Sequence, residues 1–247
     1  MNILMVFSYN GIKFSGYQKQ PERRTVQEEI ESVLSRILNK EIKINASGRT
    51  DAKVHAIRQH ANFIIDNDDL KFDLDLLKYK LNKMLPNDIY ISEIKEVENE
   101  FHARFAAILK IYEYKFTYKS NHDVFKNGLI TEVADEVNFD ILNQVKQLFI
   151  GTKCFKNFTS KPDDKDNFVR TIYDIEFKDN GDKTYSLIFK GSGFMMYQIR
   201  MMAANIVLAA SGKIPVSEIE NLLTSEERTI TNYCFPPEGL YLVDVKY

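Results

Sequence analysis

Apolar positions along the chain recur with two different periods, and the alternation between them outlines the elements. Asn2 to Tyr9 is an apolar run suited to a buried strand, ended by Asn10-Gly11. An irregular loop from Phe14 to Pro21 leads to Thr25-Val26-Gln27-Glu28, which has the form of a capping box. Behind it Val26, Ile30, Val33, Leu34, Ile37 and Leu38 repeat at helical spacing, predicting a helix to about Asn39. Strand-like runs follow at Glu41 to Asn45 and Gln59 to Asp66, with a loop between them. Leu74, Leu77, Leu81, Met84 and Leu85 form a second amphipathic stripe, stopped by Pro86-Asn87-Asp88, and Ile89, Ile91 and Ile94 predict another strand.

Phe101-His102-Ala103-Arg104-Phe105 reads as a hinge. Beyond it Ile108 to Tyr118 alternates, placing Tyr112, Tyr114, Phe116 and Tyr118 on one strand face. Such tyrosines serve a half-buried core, or, near a strand end, stack on an exposed base. Asn138 caps a helix that turns Ile141, Leu142, Val145, Leu148 and Phe149 inward and stops at Gly151. A strand from Val169 to Phe177 and its partner Tyr185 to Lys190 flank the turn Asn180-Gly181. Helices are predicted over about Phe194–Ala210 and Val216–Leu223, then the turn Pro236 to Gly239 and a strand from Leu240 to Val245. The pattern is that of an α+β fold in two similar sheet-plus-helix halves, 1–105 and 106–247, sharing one continuous mixed, mainly antiparallel sheet with helices packed on it.

Composition narrows the class without naming a partner. A chain of 247 residues, 44% hydrophobic and 12% aromatic, is long and apolar enough to bury a core. It holds no apolar stretch of membrane-spanning length and no leader with a cleavage site, and two cysteines make no disulfide framework, so a cytoplasmic protein is expected. The balance of 33 Lys+Arg against 35 Asp+Glu, net −2, means that any polyanion must be met by a local basic surface. Arg23-Arg24, Lys153, Lys156 and Lys161 are candidates for such a rim, although each singly reads as a solvated cation.

The densest chemistry lies in the loop Asn45 to Ala56. Gly48 permits close backbone approach, Arg49 offers a two-pronged grip on phosphate, and Asp51 is a candidate nucleophile, base or metal ligand. The alternative is a plain turn with Arg49 and Asp51 paired at the surface. Arg200 is the second candidate, since its spacing from Met196 and Ala203 puts a guanidinium on the apolar side of its helix. It either snorkels to the helix edge or pairs with a carboxylate or phosphate, because an unpaired buried charge is costly. His55, His60 and His102 lack the spacing of a metal site on one helix face.

Ser47-Gly48-Arg49-Thr50-Asp51-Ala52-Lys53-Val54-His55-Ala56 resembles the signature of the TruA family of transfer-RNA pseudouridine synthases. The resemblance extends to Tyr9-Asn10-Gly11 with Phe14-Ser15-Gly16-Tyr17-Gln18-Lys19-Gln20, to Thr25-Val26-Gln27 and to Leu85-Pro86-Asn87-Asp88-Ile89. It continues through Phe101 to Phe105, Tyr112-Glu113-Tyr114, Gly193 to Arg200 and Glu238 to Leu242, nearly end to end in the family's order. Departures are Lys53 for the glycine usual after Asp-Ala, Tyr17 for a tryptophan, Gln198-Ile199 for Met-Val, and Ala203-Ala204 for a glycine.

The resemblance implies a pseudouridine synthase fold with a central cleft, and an isomerase that converts uridine to pseudouridine at positions 38–40 of the anticodon stem-loop of tRNA. By it, Asp51 is the catalytic nucleophile, Arg200 its ion-pair partner, Tyr112 the platform for the target base and Arg49 a contact to the RNA backbone. It further implies a homodimer working without cofactor or metal. Other readings are a catalytically inactive RNA-binding paralogue, a synthase acting on a different RNA, and a metal-dependent nuclease built on Asp51 and the nearby histidines.

Overall fold

A computed structural model describes residues 1–66, 70–160 and 167–247. The first elements in chain order are β1 (Asn2–Tyr9), α1 (Val26–Leu38), β2 (Asn45–Ala46), β3 (His55–Ile64), α2 (Leu74–Met84) and β4 (Ile89–Val97). There follow β5 (Leu109–Tyr118), β6 (Thr131–Val133), α3 (Phe139–Gln147), β7 (Gly151–Cys154), β8 (Val169–Asp179) and β9 (Thr184–Gly191). The chain closes with α4 (Gln198–Ala210), α5 (Val216–Thr224) and β10 (Leu240–Lys246). They form two compact units, Met1–Ile108 with Tyr241–Tyr247, and Leu109–Leu240. The class is α+β, with mixed and mainly antiparallel strand pairing.

In the first unit the strand order is β4-β1-β3-β10. β1 runs antiparallel to both neighbours, and β10 joins parallel to β3 with Tyr241 opposite His55. Ile3, Leu4, Met5, Val6 and Phe7 are all buried, which is why β1 reads as an unbroken apolar run rather than an alternating one. α1 adds Val26, Ile30, Val33, Leu34 and Leu38 to the core, each such side chain contributing roughly 1.5–3 kcal/mol of burial. Asp73 caps α2, its carboxylate accepting from the Leu76 amide at 2.7 Å.

In the second unit the order is β5-β9-β8-β7, all antiparallel, with β6 parallel to β5. The even positions of β5 face inward as the alternation predicts: Tyr112, Tyr114, Phe116 and Tyr118 are all buried. Asn138 caps α3 through its side-chain oxygen, which accepts from Asp140 and Ile141. α4 departs from the one-sided stripe expected for it. Within it only Arg200 and Leu208 escape full burial, because α4 is apolar all round and lies inside the unit. Its first turn begins at Gln198, not Phe194, so Met196 lies outside it and is 44% exposed.

Other expectations shift for local reasons. Thr25 is the N-cap residue of α1 but makes no side-chain cap. The free amides of Val26 and Gln27 instead donate to the Gly16 and Tyr17 carbonyls, and Glu28 turns to Lys19, so no capping box forms. Glu41 to Ile44 is not a strand. The Ile42 amide donates to Ser35 Oγ and the Ile44 amide to Glu31 Oε1, so α1 takes the hydrogen bonds a neighbouring strand would have made. β3 begins at His55, ahead of the expected Gln59. Phe101 to Phe105, read as a hinge, is tied into the first unit: Asn2 Nδ2 donates to the Phe101 carbonyl at 2.8 Å, and the Ala103 amide to Asn62 Oδ1 at 2.9 Å.

Candidate active site

The loop between β2 and β3 carries Arg49, Thr50 and Asp51, and segments distant in sequence hold it in place. At its start the Ser47 amide donates to the His60 carbonyl at 2.7 Å, and Ser47 Oγ to Gln59 Oε1 at 2.7 Å. Gln59 Nε2 closes the turn by donating to the Gly48 carbonyl at 2.9 Å. At its centre the Tyr9 hydroxyl and Thr50 Oγ1 are 2.7 Å apart, and the Tyr17 amide donates to the Thr50 carbonyl at 3.0 Å. At its end the Lys53 amide donates to the Phe14 carbonyl, and His55 Nδ1 accepts from the Gly11 amide at 3.1 Å.

These contacts explain the glycines of the early segment. A Cβ on Gly11 would stand 2.1 Å from the Val54 carbonyl oxygen. At Gly16 it would stand 3.1 Å from the Thr50 carbonyl, on a backbone with φ of +104° that disfavours any side chain. Tyr9 and Gln59 were not singled out from the sequence as positioning residues. The signal was there in Gln59, a polar residue on a strand that proves wholly buried. Burial pushes the Tyr9 hydroxyl up to about 12, with hydrogen bonds to Thr50 and Gln59 pulling the other way, so it stays protonated at neutral pH.

On this frame Asp51 is half-buried and Arg49 exposed. Among the described residues Arg49 makes no ion pair, so the Arg49–Asp51 surface pair that a plain turn would offer is not formed. The histidines are committed elsewhere. His55 stacks on Tyr241 with ring centroids 4.5 Å apart and planes 15° apart, and His60 Nε2 lies 3.3 Å from Asp244 Oδ1. Among the described residues no three His, Cys, Asp or Glu side chains gather as a metal-ligand group.

Tyr112 and Arg200 lie in the second unit. Tyr112 meets Phe194 edge to face at 5.3 Å. Arg200 Nε donates to the Phe235 carbonyl at 2.7 Å, and its guanidinium lies 4.5 Å over the Tyr197 ring. Tyr197 has φ of +62°, a conformation rare for an aromatic residue and concentrated at functional sites. Phe235 stacks on Tyr114, whose hydroxyl donates to the Pro236 carbonyl at 2.8 Å. Gly239 meets the same tyrosine: a Cβ there would be 2.6 Å from the Lys115 carbonyl and 3.0 Å from the Tyr114 ring. The rim candidates divide. Lys153 and Lys156 donate to the Leu148 and Glu226 carbonyls, Arg24 forks onto Asp88 at 2.8 and 2.9 Å, and Lys161 lies outside the described residues.

Residues 5–106 and 145–247 match the tRNA pseudouridine synthase family. The chain belongs to the tRNA pseudouridine synthase family, a family of isomerases. It is 36% identical over 242 residues to tRNA pseudouridine synthase A of Staphylococcus aureus (strain MRSA252), covering 98% of this chain and 90% of that protein. Likeness to the enzyme of the same name from Exiguobacterium sp. (strain ATCC BAA-1283 / AT1b) is 35% over 247 residues, covering 99% and 97%. A chain in the crystal structure of a Cbf5-Nop10-Gar1 complex shares 14% identity, with a TM-score of 0.41 over 84% of this chain and 53% of that one. Among the described residues no helix is long and apolar enough to cross a membrane.

Proposed function

We propose that this family member converts uridine to pseudouridine in the anticodon stem-loop of transfer RNA, with Asp51 as the nucleophile. The reaction breaks the N1–C1′ bond, turns the uracil and joins C5 to C1′; the proton on C5 leaves for solvent and N1, freed from the sugar, gains one. No electron is gained or lost and no phosphoryl group moves. Asp51 either captures C1′ or takes the C2′ proton on a glycal route; both require an ionised, fixed carboxylate. The observation that carries this reading is the anchoring of the Asp51 loop by Tyr9, Gly11, Gly16 and Gln59, which holds a half-buried carboxylate two residues from the exposed Arg49.

In this reading Arg49 grips the backbone at the extruded nucleotide, Tyr112 supports the turned-out uracil and Arg200 is the ion-pair partner of Asp51. The enzyme works as a cytoplasmic homodimer, and sedimentation at micromolar concentration tests the dimer. Neither cysteine forms a disulfide, as suits a reducing compartment.

Tritium release from 5-tritiated uridine in a transfer-RNA transcript is the assay. Asp51→Asn is expected to lower release by roughly 10⁴-fold or more while RNA binding persists. Release at the wild-type rate would end the nucleophile assignment. Arg200→Lys keeps the charge but loses the planar fork and is expected to slow turnover about tenfold or more. Unchanged turnover would remove Arg200 from the site. Mapping the uridines that disappear when the gene is deleted decides between the anticodon stem-loop and another RNA.

A further inference from the structure

The loop of residues 11–24 folds against the Asp51 loop so as to leave an open cleft of about 410 Å³, lined by Lys13, Phe14, Gln20, Arg23, Ala52 and Lys53 among others. Its framework is fixed. Phe14 is buried under the Arg24 guanidinium at 4.2 Å, the Ser15 amide donates to the Arg24 carbonyl, and Gln20 Nε2 donates to the Ser15 carbonyl at 2.9 Å. Its charge is uncompensated. Lys13, Arg23 and Lys53 are exposed, and among the described residues none makes an ion pair, whereas Arg24 next door is fully engaged with Asp88 and Glu29. In a chain of net charge −2, three such cations around one cleft are a local anion site.

Lys53 adds a second, independent observation. Its backbone has φ of +65°, a region that favours glycine. A lysine in that conformation, two residues after Asp51, is a backbone outlier beside the candidate site and points to a use for its side chain.

We propose that this cleft, with Lys53 as its distinguishing residue, holds backbone phosphates of the RNA immediately beside the uridine presented to Asp51. The proposal rests on the synthase reading above and deepens it: Lys53 is a positioning residue that fixes the register of the strand entering the site. Phosphate contacts of this kind set register and act through counterion release, so they are read by salt.

The test is equilibrium binding of an unmodified transfer-RNA transcript across a salt series, which needs no turnover. Lys53→Gly, which suits the backbone, is expected to flatten the slope of log Kd against log salt by about 0.7–0.9. Lys53→Arg is expected to keep the wild-type slope. The combination Lys13→Ala, Arg23→Ala and Lys53→Gly is expected to flatten it by about 2–3 and to raise Kd roughly 10- to 100-fold at low salt. In phosphate-ethylation interference, modification next to the target uridine should block wild-type binding but be tolerated by Lys53→Gly. A wild-type slope in both glycine-bearing variants, or an unchanged interference pattern, overturns the cleft and leaves the synthase reading standing. Absence of tritium release from the wild-type protein overturns the synthase reading, while the slopes still report on the cleft.

Discussion

The loop that carries Asp51 is held by hydrogen bonds, whereas the helix that carries Arg200 is held by apolar burial. Around Asp51, donors and acceptors from β1, the early loop and β3 converge on the segment Ser47 to His55. Around Arg200, Ile199, Met201, Met202 and Ala203 are sunk in the second unit and the arginine is left at the margin. A hydrogen-bonded loop can be set to within tenths of an ångström but tolerates no intruding atom. A buried helix tolerates apolar exchange as long as volume is kept. The family-like residues follow this division. In the first unit they include Gly11 and Gly16, which accommodate backbone; in the second they include Tyr197, which lies under the Arg200 guanidinium.

The contrast can be broken most forcefully at Gly11. Gly11→Ala drives a methyl against the Val54 carbonyl and is expected to cost about 3 kcal/mol or more, seen as a fall in Tm and faster amide exchange in the first unit. A variant as stable as wild type would mean the loop is not anchored there.

A sharper comparison is offered by two neighbouring tyrosines. Tyr9→Phe removes the partner of Thr50 and is expected to destabilise by about 1–2 kcal/mol and to slow tritium release. Tyr17→Phe should act in the opposite direction. Among the described residues the buried Tyr17 hydroxyl has no hydrogen-bond partner, so its removal is expected to be neutral or to stabilise by about 1 kcal/mol in denaturant titration. Equal losses for both would refute the distinction. The same tyrosines set the alkaline limit. Burial raises Tyr9 from an ordinary 10.0 to about 12, and burial, with Tyr9 and Glu31 adding to it, raises Tyr17 well above its ordinary value. At lower pH both states keep these protons and no stability depends on them. Above about pH 10 the unfolded chain releases them first, so stability falls from there through about 12. Tm measured from pH 9 upward should decline less steeply in the Tyr17→Phe variant.

The smallest effect belongs to Lys53. Lys53→Gly relieves the left-handed strain and is expected to change stability by less than about 1 kcal/mol, favourably, even as it weakens RNA binding. A clear loss of stability would show that the lysine side chain holds the loop itself.

Apolar spacing, together with turn and cap residues, located α1, α2, β5, α3 and the β8–β9 hairpin, because each buries a face whose period its own backbone imposes, and β1 was located by its unbroken apolar run. The motif residues marked which loop mattered. The misread elements are those whose hydrogen bonds are settled by a distant partner. Glu41 to Ile44 has a strand's alternation, but α1 side chains take its amides; Thr25 has a cap's sequence, but Gly16 and Tyr17 supply the acceptors.

What the sequence determined by itself was which residues are apolar, at what period, and where glycine replaces a side chain. Only the tertiary structure decided that the glycine at 11 yields to the Val54 carbonyl, that Arg24 pairs with Asp88 while Arg23 makes no ion pair among the described residues, and that Lys53 stands where the backbone prefers none. The physical reason is that period is a property of one segment, whereas close approach and charge pairing belong to two, and their meeting is fixed only once the strands between them have folded.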